Sequence, residues 1–103
     1  MVCYEIDENL VETLDQVLGL CQDAASEAGV DFDSEIRIGD YIEDRAVAGA
    51  SLFAEDQETF DCVILNPPYR KIHSRSSERT DLRSVGIETT NLYTGFMLLA
   101  ARQ

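Results

Sequence analysis

The sequence predicts an α/β fold, because β-prone segments and helix-periodic segments alternate along its 103 residues. Strands are expected at about 2–6, 35–39 and 60–65, and the last of these is a near-continuous apolar run. Such a run is typical of a parallel strand that is covered on both faces. Helices are expected at about 8–28 and 90–102, so the elements follow the order of a wound parallel sheet.

The spacing of apolar side chains predicts both helices. Apolar residues recur every three or four positions from Leu10 to Ala28, and again from Leu92 to Ala100. Asp7 is the expected N-cap of the first helix. Gly29 is its expected end, because glycine readily adopts the left-handed conformation that closes a helix.

The connecting segments are less regular. Residues 46–54 are rich in alanine and predict a weak helix or turn. Residues 70–90 are polar with few apolar side chains, which predicts a mobile loop with one helical turn near 77–84. Asn66-Pro67-Pro68 must end the strand at 60–65, because proline has no N–H to donate to a sheet.

The composition is that of a single globular domain over residues 1–103, with 45% hydrophobic and 27% charged residues. No apolar run reaches the roughly 18 residues of a membrane span, and the first residues lack the features of a signal peptide. The three cysteines show no CxxC spacing, and there is one histidine. They are therefore expected to be reduced, buried thiols of a cytoplasmic protein that has no metal site.

The charge is strongly negative but uneven. The net charge of −12 argues against a general nucleic-acid binder. Five of the eight basic residues nevertheless fall in one short stretch: Arg70, Lys71, Arg75, Arg79 and Arg83. This basic cluster is interpreted as a phosphate-facing segment, with an ordinary solvated loop as the alternative. Adaptation to high salt would also explain the acidic remainder.

Polar residues follow each predicted strand. Glu5, Asp40 and the segment Asn66–Tyr69 stand where the three strands end. Because ligands of open parallel sheets bind at the carboxyl ends of the strands, the three positions together predict a site. Taken singly, Glu5 or Asp40 is more often a helix cap or a solvated turn residue.

The segment Asn66-Pro67-Pro68-Tyr69 has a specific chemical use. Two prolines fix the backbone, so that the Asn66 amide oxygen and a neighbouring carbonyl can accept both hydrogens of an exocyclic amino group. The Tyr69 ring offers a face on which a base can stack. The alternative interpretation is a rigid turn after a strand.

With this motif the sequence resembles the N6-adenine DNA methyltransferases of type II restriction–modification systems and related enzymes, whose motif is (Asn/Asp/Ser)-Pro-Pro-(Tyr/Phe). Residues 60–65 resemble the strand that leads into the motif, and residues 91–96, Asn-Leu-Tyr-Thr-Gly-Phe, resemble the helix that follows the active-site loop. The resemblance covers almost the whole chain. It implies part of a Rossmann-like catalytic domain that uses S-adenosyl-L-methionine (SAM).

The resemblance also assigns roles to the cofactor site. Glu5, in the segment Tyr4-Glu5-Ile6-Asp7, would hold the ribose hydroxyls of SAM, with Asp7 as the second choice. Asp40 would accept from the adenine amino group of SAM, and Tyr41 would contact its adenine ring.

For the substrate, Asn66 and the carbonyl of Pro67 would accept the hydrogens of the target amino group, and Tyr69 would stack on the extruded base. Arg70, Lys71, Arg75 and Arg79 would meet the DNA backbone. The same motif occurs in methyltransferases that act on cytosine N4, RNA adenines or protein glutamine amides. A non-catalytic acidic binding domain with the same fold is a further alternative.

Two departures from the family stand out. The family begins this domain with a strand and a glycine-rich turn, which have no counterpart before Val2, and it continues beyond the last helix. The chain is therefore expected to be an internal part of the catalytic domain and inactive alone. Two strand edges would then lack partners, which predicts a homodimer or, alternatively, closure of 60–65 beside 2–6 into a three-stranded sheet.

Overall fold

The computed structural model describes residues 1–49 and 58–103. It confirms the α/β class, with two strands and four helices among these residues. In chain order they are β1 (Val2–Glu5), α1 (Glu8–Glu27), β2 (Glu35–Ile38), α2 (Tyr41–Gly49), α3 (Ser77–Ser84) and α4 (Leu92–Ala100). The chain divides into two compact units, Met1–Tyr41 and Ile42–Gln103.

The first unit is a β–α–β motif. Strands β1 and β2 pair in parallel, with Val2 opposite Glu35 and Glu5 opposite Ile38. Parallel neighbours need a crossover connection, and α1 supplies it. The predicted strands at 2–6 and 35–39 and the predicted helix at 8–28 are confirmed to within a residue at each end.

Both ends of α1 follow local chemistry. The Asp7 carboxylate accepts a hydrogen bond from the Asn9 N–H at 3.0 Å, as an N-cap does. At the other end Gly29 has φ +69° and donates to the Ser26 carbonyl, while the N–H of Val30 donates to the carbonyl of Ala25. These two bonds form a Schellman motif, so the predicted cap and stop are both confirmed.

The second unit has a core built from α2, α3, α4 and apolar residues on either side of α3. Its buried apolar residues are Ile42, Ala46, Ile72, Leu82, Ile87, Leu92, Leu99 and Ala100. Helices α3 and α4 approach closely at Gly95, where an added Cβ would lie 2.7 Å from Cδ1 of Leu82. Glycine at this position therefore permits the contact between the two helices.

Residues 70–90 are more ordered than the predicted loop. Helix α3 runs for two turns, Ser77–Ser84, where one turn was expected. Ile72, Leu82 and Ile87 are each 5% exposed or less and anchor the segment in the core. Their spacing shows no helical or strand period, so the pattern of the sequence does not reveal that they converge.

The third predicted strand is wrong as a strand. Residues 60–65 form no regular secondary structure, and the sheet among the described residues has two strands. Phe60 donates its N–H to the carbonyl of Gln103 at 2.9 Å, while the side chain of Ile64 is 95% exposed. An apolar run becomes a strand only where a neighbouring backbone supplies the hydrogen bonds, and no described strand does so here. The three-stranded closure is therefore also not formed.

Two smaller expectations change as well. Helix α2 begins at Tyr41, five residues before the predicted start at 46, and residues 50–54 of that prediction lie outside the described residues. Cys21 and Cys62 are exposed rather than buried, although all three cysteines are free thiols. No helix in the described part of the chain is both long and apolar enough to cross a membrane.

Candidate active site

The two parallel strands of the first unit have their carboxyl ends side by side, which brings the backbone at Glu5 close to the backbone at Asp40. Glu5 pairs with Ile38, and one step beyond it the Gly39 N–H donates to the Glu5 carbonyl at 3.0 Å. Asp40 follows at once and immediately precedes α2. The parallel register therefore places both predicted cofactor-binding acids at the carboxyl end of the strand pair.

The two acids in the segment Glu5–Asp7 have different local partners. One oxygen of the Glu5 carboxylate accepts from the Asp7 N–H at 2.8 Å. The Asp7 carboxylate caps α1, and the backbone N–H and side-chain amide of Asn9 together lower the pKa of Asp7. Since Asp7 serves the helix, Glu5 is the better placed of the two to accept from a ligand.

Tyr41 packs against an aromatic residue of β1. The rings of Tyr4 and Tyr41 meet edge to face, with centroids 5.0 Å apart and planes at 76°. The Arg37 guanidinium lies 5.7 Å from the centroid of the Tyr4 ring and donates to the Tyr4 hydroxyl at 3.1 Å. Arg37 is held in turn by two hydrogen bonds to Glu35, at 2.7 and 3.0 Å. Sequence reasoning assigned no role to Tyr4 or Arg37; Tyr4 contacts the Tyr41 ring, and Arg37 contacts Tyr4.

The second unit presents the motif at its surface. Pro67 is buried, whereas Asn66, Pro68 and Tyr69 are exposed. The Arg70 N–H donates to the carbonyl of Pro68 at 3.1 Å, which closes a tight turn at the end of the motif. The buried proline anchors the segment while its polar and aromatic side chains face solvent.

Backbone hydrogen bonds tie the motif to α4. The Leu92 N–H donates to the Arg70 carbonyl at 3.0 Å, and the Ile72 N–H donates to the Thr90 carbonyl at 2.8 Å. These bonds flank an antiparallel bridge between Lys71 and Asn91. The residues that follow Tyr69 therefore run beside the residues that start α4.

The same arrangement brings two tyrosines together. The rings of Tyr69 and Tyr93 are stacked, with centroids 5.0 Å apart and planes at 14°. Tyr69 is still 79% exposed. The role of Tyr93 was missed by sequence reasoning, which noted residues 91–96 only for their family resemblance.

Three members of the basic cluster are held in ion pairs. Arg70 pairs with Glu78 at 2.6 Å, and both Arg79 and Arg83 pair with Glu88, at 2.5 and 2.6 Å. The hydrogen bond from Arg70 is the main cause that lowers the pKa of Glu78 to about 2, and those from Arg83 and Arg79 lower the pKa of Glu88 to about 2.

The two remaining bases of the cluster are different. Lys71 and Arg75 are exposed and form no ion pair within the described ranges 1–49 and 58–103. Their charges therefore face solvent without compensation.

Two known proteins are similar to almost the whole of this chain. The chain is 42% identical over 101 residues to the type II methyltransferase M.PstI of Providencia stuartii, which covers 98% of this chain. It is 44% identical over 98 residues to the type II methyltransferase M.BsuBI of Bacillus subtilis, which covers 92% of this chain. The chain is related to the type II methyltransferases.

The relationship concerns one segment of those enzymes. The chain spans 20% of the length of M.PstI and 19% of the length of M.BsuBI. No family model and no solved structure matches the chain. In this chain, Glu5, Asp40 and Tyr41 belong to the first unit, and Asn66–Tyr69 and the basic cluster belong to the second.

Proposed function

We propose that this chain is part of a SAM-dependent DNA methyltransferase that transfers a methyl group to the N6 amino group of adenine. The observation that carries the proposal is the exposed segment Asn66–Tyr69, anchored by Pro67 and tied to α4, in a chain 42% identical to a type II methyltransferase. An amide oxygen and a proline carbonyl can accept the two hydrogens of an exocyclic amino group, and an exposed aromatic ring can stack on the base that carries it.

The chemistry follows from these groups. The target adenine leaves the duplex at a cost of about a few kcal/mol and stacks on the Tyr69 ring. The Asn66 amide oxygen and the Pro67 carbonyl accept its two amino hydrogens. SAM would supply the methyl group from its sulfonium sulfur. The two acceptors would stabilise the positive charge that develops on the amino nitrogen as it takes up this methyl group. The proton then leaves to solvent.

The first unit would hold the cofactor, which supplies an electrophilic methyl group on a sulfonium sulfur. Glu5 would accept from the ribose hydroxyls, Asp40 from the adenine amino group, and Tyr41 would contact the adenine ring. The carboxylates suit hydroxyl and amino donors, and the edge contact with Tyr4 at 5.0 Å supports the Tyr41 ring. Both acids also stand at the carboxyl end of a parallel strand pair, where such ligands bind.

The DNA backbone would lie along the basic cluster. Lys71 and Arg75 carry charges that face solvent, so we expect them to contribute most to phosphate contact. Arg70 and Arg79 already pair with Glu78 and Glu88, and a phosphate would have to compete with these carboxylates.

A chimera tests the proposal. This chain would replace the matching segment of M.PstI, and methyl transfer from labelled SAM would be measured on DNA and assigned by nucleoside analysis. Asn66→Ala should slow transfer by ~10²–10³-fold, the usual cost of losing a transition-state acceptor, while SAM affinity is unchanged. Gln22→Ala, which removes an exposed amide on α1, is the matched control and should be neutral.

Each outcome is informative. Label on N4-methylcytosine instead of N6-methyladenine would contradict the adenine assignment but keep the role of the motif. Equal rates for Asn66→Ala and Gln22→Ala would contradict the active-site assignment. A chimera that binds SAM but methylates no base would favour a non-catalytic domain.

On its own, we propose that the chain is inactive and forms a homodimer. The side chains of Val63 and Ile64 are 43% and 95% exposed, and those of Met97 and Leu98 on α4 are 44% and 43% exposed. A second copy would cover these apolar side chains, and added salt should promote the dimer by screening the charge of −12. Sedimentation at low and high salt tests this, and a monomer under both conditions would contradict it.

A further inference from the structure

Tyr93 lies outside the motif and stacks on Tyr69. Near-parallel rings with centroids 5.0 Å apart have the geometry of an offset stack. Tyr93 covers one face of Tyr69, yet Tyr69 remains 79% exposed. The face of Tyr69 opposite Tyr93 is therefore the one that is open to a ligand.

Tyr93 owes its position to α4 and not to Tyr69. Its N–H is capped by the Asn91 side chain at 3.0 Å, in the first turn of the helix. Its neighbour Leu92 is buried in the core and donates to the carbonyl of Arg70, the residue after Tyr69. The two rings are thus carried by adjoining backbone segments, and the helix presents Tyr93 as a fixed support.

The contact involves the ring of Tyr93 and not its hydroxyl. Within residues 1–49 and 58–103, the Tyr93 hydroxyl has no hydrogen-bond partner. Tyr93 is also half-buried and lies outside the core set of α4, which is Leu92, Gly95, Leu99 and Ala100. Removal of the ring is therefore expected to affect the stack more than the fold.

We propose that Tyr93 is a positioning residue that fixes the ring plane of Tyr69, so that the extruded base completes a three-layer stack of Tyr93, Tyr69 and base. The proposal rests on the proposed function, in which Tyr69 receives the base. An exposed ring without such support rotates among several rotamers, and only some of them present a face to the base. Contact with Tyr93 holds the Tyr69 ring in the orientation that receives the base. Loss of this contact should therefore affect the position of the base and not the binding of SAM.

The first test uses the chain itself, in which Tyr69 is one of four tyrosines. With tyrosine rings labelled for NMR, Tyr93→Leu should shift the Tyr69 ring resonances by removing the ring current of its neighbour. Tyr93→Phe should leave them nearly unchanged. Tyr69 resonances that do not respond to Tyr93→Leu would overturn the proposal.

The second test uses the M.PstI chimera. Tyr93→Leu should lower kcat for methyl transfer by about 2- to 10-fold, the usual worth of an aromatic pair, with the KM for SAM unchanged. Tyr93→Phe should restore the parent rate, because the ring and not the hydroxyl forms the contact. A 2-aminopurine at the target position would report the stacked base directly. Its fluorescence should change in Tyr93→Leu and stay like that of the parent in Tyr93→Phe.

The outcomes separate this inference from the proposed function. If Tyr69→Ala loses activity while Tyr93→Leu matches the parent, the positioning role is overturned and the function stands. If Tyr69→Ala itself keeps full activity, the stacking role of the motif is overturned, and the three-layer stack with it. If Tyr93→Leu also unfolds α4 and Tyr93→Phe fails to restore activity, Tyr93 has a purely structural role and the proposal is overturned.

Discussion

The two units position their candidate site residues by different means. In Met1–Tyr41, backbone pairing between two parallel strands places Glu5 and Asp40 at one edge. In Ile42–Gln103, the described residues form no sheet. There the motif is held by the buried Pro67, by the isolated bridge between Lys71 and Asn91, and by the ion pair between Arg70 and Glu78. A site built on a strand ladder depends on register, whereas a site built on packed segments depends on every contact around it.

The helices of the two units also differ in how much they bury. In the first unit α1 buries only Leu18 and leaves Leu10 and Leu20 at 50% and 69% exposure. In the second unit, the shorter α4 buries four residues. The order of the second unit therefore depends more strongly on its core, and core substitutions should act there first.

The largest effect is expected from Leu82→Ala. Leu82 is 1% exposed and packs at Gly95, so its truncation leaves a cavity and should lower the free energy of unfolding by about 2–5 kcal/mol. Leu20→Ala on α1 is the matched control and should cost under about 0.5 kcal/mol. Urea unfolding measures both, and hydrogen exchange should show the loss of protection in residues 58–103. Equal effects of the two substitutions would contradict the difference between the units.

The next largest effect is expected on SAM affinity, from the two acids at the carboxyl end of the strand pair. In the M.PstI chimera, Glu5→Ala and Asp40→Ala should each weaken SAM binding by roughly 1.5–3 kcal/mol, because each removes a charge-assisted hydrogen bond. Glu12→Ala, an exposed acid on α1, is the control and should bind SAM like the parent. Calorimetric titration with SAM decides the matter. Unchanged affinity in both edge variants would mean that these acids only cap turns.

Acid should weaken the second unit through its ion pairs. Since the folded-state pKa of Glu78 is about 2 against an ordinary value of 4.5, its stabilising contribution is complete above pH 4.5 and is lost as pH falls toward 2. Glu78→Gln should remove this pH-dependent part, which for such a surface pair is worth at most about 1 kcal/mol. Thermal unfolding of both proteins at pH 6 and pH 2.5 measures it. The same acid sensitivity in Glu78→Gln would show that the pair with Arg70 contributes nothing.

The smallest effect is expected from the basic cluster. In the chimera, Arg75→Gln should reduce the slope of log K for DNA against log salt by about 1, because one phosphate contact is lost. Arg83→Gln should leave the slope nearly unchanged, since Arg83 is already paired with Glu88 at 2.6 Å. Binding isotherms at several salt concentrations measure the slopes. Identical slopes for Arg75→Gln and the parent would mean that Arg75 contacts no phosphate, as expected if the basic cluster is an ordinary solvated segment.

The features that the sequence predicted well are those that rest on local chemistry. Strands β1 and β2, helix α1 and its two caps depend on neighbours within about five residues or on a simple alternation of strand and helix. The motif Asn66–Tyr69 was also visible, because two prolines between an amide and an aromatic ring form a rare arrangement. Its assigned roles remain predictions, as do those of Glu5, Asp40 and Tyr41.

By itself, then, the sequence determined the ends of α1 and the identity of the motif, because hydrogen bonds between near neighbours and proline geometry leave few alternatives. It also indicated the β–α–β unit through the alternation of strand and helix patterns, although the pairing itself joins distant residues such as Val2 and Glu35. Only the tertiary structure decided that residues 60–65 are not a strand, since a strand needs a neighbouring backbone that no pattern within it can specify. The same holds for the two-turn α3, which is held by Leu82 in a core assembled from distant residues. It holds also for the stack of Tyr93 on Tyr69, which exists because the bridge between Lys71 and Asn91 brings together two segments twenty residues apart.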